Sequence, residues 1–195
     1  MSATSTAPQR GVSLIELIVT IVVIGAAVAG VLGAFSMASR SSADPMIQKQ
    51  ALAIAEAVME EVQLMPFTYC DPDDDNAAIA TDTAGCAAAN ENNLVAEALD
   101  VPPTGPAETR AGTERPFDNV NDYNGFAMGP GISNLGGTAI TGLDGYSASV
   151  TVANQALGGI AAAESLLITV VVTGPGSTTV TLHGYRTRYA PNALP

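Results

Sequence analysis

The sequence predicts an α+β chain with one long N-terminal helix followed by an antiparallel sheet. Three observations carry that expectation. Residues 12–37 are almost all apolar or small. An apolar stripe at steps of three and four then runs from Ile47 to Met65. The C-terminal third holds three β-rich runs separated by turn signals. Helices first and strands last is an α+β order.

Taken as a helix at ~1.5 Å per residue, the run 12–37 is about 39 Å long. A hydrocarbon core of about 30 Å is shorter than that. Arg10 precedes the run and Arg40 follows it. The residues up to Gly11 hold one Arg and no acid, so this end is expected on the cytoplasmic side. Beyond it, Ile47, Ala51, Ile54, Val58, Val62 and Met65 form one face of an amphipathic helix, with Lys49, Glu56, Glu60 and Glu61 off the stripe. Asp44 and Pro45 make an N-cap and first-turn pair, so a kink or restart is expected there. Pro66 should stop the helix. The expectation is one long spine, with an apolar transmembrane half and an amphipathic half packed on a head domain.

Residues 68–145 are rich in Pro, Gly, Asn and Asp, as turns and loops require. Within them "NENNLVAEALD" suits a short helix and "YNGFAM" a short strand. The clear strands are "GYSASVTVAN", "ESLLITVVVTG" and "TVTLHGYRTRYA", with "GPGS" as the turn between the last two. They read as an antiparallel meander.

Composition removes several function classes. The 195-residue chain has a formal net charge of −12 and only seven Lys and Arg. Phosphate backbones need clustered cations, so nucleic acid is excluded as a partner. No P-loop, strand-linked G-x-G-x-x-G or H-E-x-x-H is present. His183 is the single histidine and falls in a predicted strand, expected on its solvent face; no nucleophile is placed for triad chemistry. Nothing supports an enzyme.

One residue contradicts the oil-like character of the first helix. Glu16 sits inside "RGVSLIELIVTIVVIG", and a carboxylate in a hydrocarbon span costs on the order of 2.5–3.5 kcal/mol. An ordinary signal peptide has a shorter apolar region, about 7–15 residues. A plain anchor leaves Glu16 unexplained unless it snorkels to the headgroups. The stretch "RGVSLIEL" resembles the cleavage and methylation motif of type IV prepilins and type II secretion pseudopilins: a short basic leader, Gly before the cut, then an apolar segment with Glu at its fifth residue. Val12 and Ser13 depart from the Phe or Met and Thr more usual at the first two mature positions.

That resemblance implies cleavage between Gly11 and Val12 by prepilin peptidase and N-methylation of Val12. It implies that Glu16 pairs with the new amine of its own or a neighbouring subunit, offsetting burial and setting register. The division it implies is a leader 1–11, a transmembrane and filament-core helix 12–43, and a periplasmic head 44–195. The helix would lie across an antiparallel sheet in a pilin-like head. Partners would be other pilins or pseudopilins, the peptidase, an inner-membrane assembly platform, and membrane lipid before assembly. The place would be the inner membrane in a single pass, then a pilus or pseudopilus. "RPFDNVNDYNGF" and the terminal "YRTRY" are similar to the D-protein minor pilins of mannose-sensitive haemagglutinin-type pili. A rival reading, without the resemblance, is a single-pass membrane-anchored periplasmic binding module.

Cys70 and Cys86 are the two cysteines. An exported head favours a bridge between them over two free thiols; two Cys and one His do not complete a zinc set. No cofactor is expected, with calcium as the open alternative. Asp71, Asp73, Asp74 and Asp75 form one acidic run that a hard cation would relieve, and Asp118, Asn121, Asp122 and Asn124 form a second. Neither matches an EF-hand loop. The plain reading of either run is a solvated loop with Asx turns.

Overall fold

The computed structural model describes residues 13–88 and 108–193, the side chains at 38–44 excepted. Helix α1 is assigned over Leu14–Leu64, with Pro45 inside it. The chain divides into two units at Pro45 and Met46. The helical assignment therefore passes through the expected kink position, and the division between units falls there.

The first unit carries the apolar part of α1. Leu14–Met37 has a mean hydropathy of 2.6 and none of it is buried. It is long and apolar enough to cross a membrane. At its start the Leu17 N–H donates to the Ser13 carbonyl, and the Thr20 hydroxyl donates to the Glu16 carbonyl. Gly25, Gly30 and Gly33 face open space, where an added methyl would touch nothing.

In the second unit the amphipathic stripe becomes a core. Ala51, Ile54, Val58 and Val62 are buried as the spacing requires, joined by Ala55 and Met59, with Ile47 and Met65 packed alongside. Lys49, Glu56 and Glu60 stay exposed, but Glu61 does not: it is half-buried. The helix ends at Leu64, two residues before Pro66.

Four strands form one antiparallel sheet in the order β1-β2-β3-β4. They are β1 Ala127–Met128, β2 Ser147–Asn154, β3 Ser165–Gly174 and β4 Thr178–Thr187. Val150 pairs with Val170, and Val170 with Leu182, so the period of two places one apolar face of each strand in register. Ala148, Val150 and Val152 on β2, and Leu166, Ile168, Val170 and Val172 on β3, are buried with the α1 stripe. The meander, the turn at Pro175–Ser177 and the short β1 inside "YNGFAM" all match the sequence reading. Its short helix in "NENNLVAEALD" lies outside the described residues.

The helix reaches the sheet closely. A Cβ on Gly184 of β4 would stand 2.7 Å from Met59 Sδ and 2.5 Å from Gln63 Nε2. At the other end of the sheet, the Tyr146 hydroxyl donates to Gln50 Oε1 at 2.9 Å. His183 is exposed on β4, its Nδ1 3.0 Å from the Thr169 hydroxyl.

Candidate functional site

Two places in the chain carry chemistry. The first is the start of α1. Gly11 and Val12, the expected cleavage and methylation positions, lie outside the described residues. Glu16 lies in the first turn of α1 and is exposed, as are its apolar neighbours Leu14, Ile15 and Leu17. One carboxylate thus stands on a helix surface otherwise suited to hydrocarbon.

The second place is the junction between the segment after α1 and the loops before β1. Cys70 and Cys86 form a disulfide with Cα atoms 5.5 Å apart. The loop it closes has more order of its own than its composition suggested. Ala77 and Ala80 are buried against Cys70, and Asn192 Nδ2 donates to both their carbonyls at 2.9 Å. Asp74 accepts the backbone N–H groups of Asn76, Ala87 and Ala88 at 2.8–3.0 Å.

Next to Cys70, Asp71 is 1% exposed. One of its oxygens, Oδ1, accepts the Asp73 N–H at 2.9 Å, and Oδ2 has no hydrogen-bond partner among the described residues. Asp71, Glu108, Asp118 and Asp122 each bring an oxygen within 4.8 Å of the others. Glu108 and Asp122 are buried as well, and Asp118 is half-buried.

Local structure holds these groups in place. Asp122 Oδ2 accepts the Asp118 and Asn119 N–H groups at 2.8 and 2.6 Å. The Asn119 amide donates to the Thr68 hydroxyl at 2.8 Å, tying the loop to the segment that carries Asp71. Glu108 leads into a tight turn in which Gly112 N–H donates to the Thr109 carbonyl and Thr109 N–H to the Arg115 carbonyl. Burial, then the negative charge of Asp122, with smaller contributions from Asp118 and Glu108, pushes the Asp71 carboxyl up to about 10 against the opposing Asp73 N–H bond.

Of the first acidic run only Asp71 enters this group. Asp73 pairs with Arg115 at 3.2 Å, Asp74 orders the disulfide loop, and Asp75 is exposed. From the second run Asp118 and Asp122 enter, while Asn124 Oδ1 accepts the Val152 N–H at 3.0 Å. Asn121 is buried outside the four-carboxylate set. Glu108 escaped the sequence reading, because a single Glu in a Pro- and Gly-rich stretch carries no pattern.

A buried ion pair also escaped it. Arg110 binds Glu61 through one guanidinium edge, its Nε and Nη2 donating to the two carboxylate oxygens at 2.5 and 2.7 Å, and Tyr123 donates to the same carboxylate at 2.8 Å. Arg110 also donates to the Ser133 and Asn134 carbonyls at 3.2 and 3.0 Å. Hydrogen bonding to Glu61, against the cost of burial, raises the Arg110 pKa. The rings of Phe117, Tyr123 and Phe126 meet edge to face at 4.9–6.0 Å. The stretch "RPFDNVNDYNGF" is therefore an aromatic anchor for the loop that bears the acids.

Residues 6–32 match the family model of the prokaryotic N-terminal methylation motif. No curated protein and no solved structure matches the chain. The motif and the apolar helix that overlaps it fit a pilin or pseudopilin and suggest membrane anchoring.

Proposed function

We propose that this chain is a minor pilin or pseudopilin, a structural subunit of a type IV pilus or of a type II secretion pseudopilus. The observation that carries the reading is the methylation motif at residues 6–32 overlapping an apolar, unburied helix at Leu14–Met37. The α+β head, with its helix on an antiparallel sheet, suits the same role. The motif implies processing by prepilin peptidase and assembly with other pilin-like subunits. The finer assignment, to the D-protein minor pilins of mannose-sensitive haemagglutinin-type pili, rests on "RPFDNVNDYNGF" and "YRTRY".

The mechanism follows from charge in a nonpolar medium. Before assembly the helix lies in the inner membrane as a single pass, with the head in the periplasm. Cleavage after Gly11 frees an amine at Val12, one helical turn before Glu16. In the filament the helices leave lipid for one another. Gly25, Gly30 and Gly33 leave room for close approach. Glu16 then pairs with the amine of its own or an adjacent subunit, since a buried charge is tolerated only when paired. Axial slippage would break that pair, so it sets register. The chain's role is packing, with no reaction of its own.

Mass spectrometry of the protein from cells with the processing machinery tests this. The expected N-terminus is methyl-valine at residue 12. The rival, a membrane-anchored periplasmic binding module, draws on an apolar groove of about 620 Å³ lined by Ile54, Ala57, Leu64, Ile132 and Ile140. It predicts an uncut N-terminal segment, and that result would overturn the pilin reading.

A further inference from the structure

We propose that Asp71, Glu108, Asp118 and Asp122 form a calcium site that joins the disulfide loop to the loops preceding β1. The site stands on geometry alone and does not depend on the pilin reading. Four carboxylates from three separate stretches of chain converge, with an oxygen of each within 4.8 Å of the rest. Three of the four side chains are at most 3% exposed. Water cannot screen such groups, and like charges so close cannot all stay ionised without a counter-charge.

Asp71 supplies the second, independent observation. Its Oδ2 is buried and has no hydrogen-bond partner among the described residues. Buried polar atoms almost always have one. Among the described residues, Asp122, Asp118 and Glu108 act on this carboxylate with charges of its own sign. A cation among the four would give Oδ2 its missing partner and turn the repulsion into shared attraction.

The donor chemistry selects the ion. All four donors are carboxylate oxygens, which suit hard cations and not zinc or copper. Calcium–oxygen bonds of about 2.3–2.6 Å place oxygens on opposite sides of the ion about 4.6–5.2 Å apart, whereas magnesium at about 2.0–2.1 Å brings them to about 4.2 Å or less. Magnesium also keeps several waters, which a buried cage of protein oxygens does not accommodate. Calcium tolerates irregular coordination from unrelated loops. The ligands are partly preorganised, because Asp122 is already held by two backbone N–H groups and Asp71 by one. In effect the ion would be a second staple beside Cys70–Cys86.

The test uses the full chain in detergent, stripped with a chelator and titrated calorimetrically with calcium chloride, with magnesium chloride as comparator. One calcium ion should bind per chain, at least tenfold tighter than magnesium, and the melting temperature should rise. Asp71→Asn should weaken binding at least tenfold while the metal-free melting temperature holds or rises, because the near-isosteric amide adds no charge to the cluster. Glu108→Gln should weaken binding likewise, and decides the matter if Asp71→Asn fails to fold. Asp75→Asn, in the same acidic run but outside the cluster, should bind as the parent does. No binding up to about 10 mM calcium, beyond the range of weak extracellular modules, overturns the proposal. Equal losses in Asp75→Asn and Asp71→Asn overturn it too, by showing diffuse attraction to acidic loops. Magnesium binding as tight as calcium overturns the choice of ion.

Discussion

The Glu61–Arg110 pair makes a prediction whose sign changes with the substitution. The two side chains retain 10% and 9% of their accessible surface, so their charges are nearly out of water. Glu61→Ala leaves a buried guanidinium with two carbonyl partners, Ser133 and Asn134, and no counter-charge among the described residues. Breaking one side of a buried pair costs about 3–5 kcal/mol. Tyr123 loses its acceptor in the same step. For a chain of this length each kcal/mol moves the melting temperature by about 2–4 °C, so a fall of roughly 6–20 °C is expected. Replacing the whole group should behave differently. In Glu61→Met/Arg110→Met/Tyr123→Phe no charge or hydroxyl is stranded, and apolar replacement of a buried pair is often neutral or stabilising. The triple variant should melt within about 4 °C of the parent, the equivalent of about 1–2 kcal/mol. The assay is thermal unfolding of the full chain in detergent, followed by circular dichroism. A drop under 2 °C for Glu61→Ala, on the order of 0.5–1 kcal/mol, would refute the reasoning, since it would mean that water reaches the pair.

Three further outcomes are expected. Glu16→Ala should insert into the membrane and be cleaved normally but co-assemble poorly with partner subunits; filament incorporation at the parent's level, measured by shearing and immunoblotting, would remove the role given to the carboxylate. Reducing Cys70–Cys86, which are 16 residues apart, should cost about 3 kcal/mol by chain entropy; an unchanged melting temperature, with both thiols titratable after reduction, would contradict this. Gly112→Ala would bring a Cβ to 2.1 Å from the Arg115 carbonyl oxygen, and the forced backbone shift should cost about 1–3 kcal/mol. If that variant melts with the parent, the turn is not rigid and does not fix Glu108 or Arg110.

Where a rule acts over a few residues, the sequence was readable. The period of three and four from Ile47 to Met65 named the buried face of α1, missing only Ala55 and Met59 at its edge. The period of two and the "GPGS" turn named β2, β3 and β4. Pro66 marked the end of the helix. The cysteine pair was legible because only two are present. Loop interactions were not legible in this way. Glu61 read as one more solvent-facing charge until Arg110, 49 residues on, came to meet it. "RPFDNVNDYNGF" read as polar loop, although its three rings pack together as part of the core.

By itself the sequence determined a membrane-length helix with one acid near its start, an amphipathic continuation, a three-run meander and the methylation motif. Each follows from periodicity, apolar length or a contiguous signature, which neighbouring residues settle among themselves. Only the tertiary structure decided which carboxylates share a site. Both acidic runs were visible, but the structure drew Asp71 from one, Asp118 and Asp122 from the other, and Glu108 from neither. The path of irregular loops over a sheet is set by long-range packing and hydrogen bonds such as Asn119 to Thr68, 51 residues apart, and no local spacing encodes where two such loops will cross.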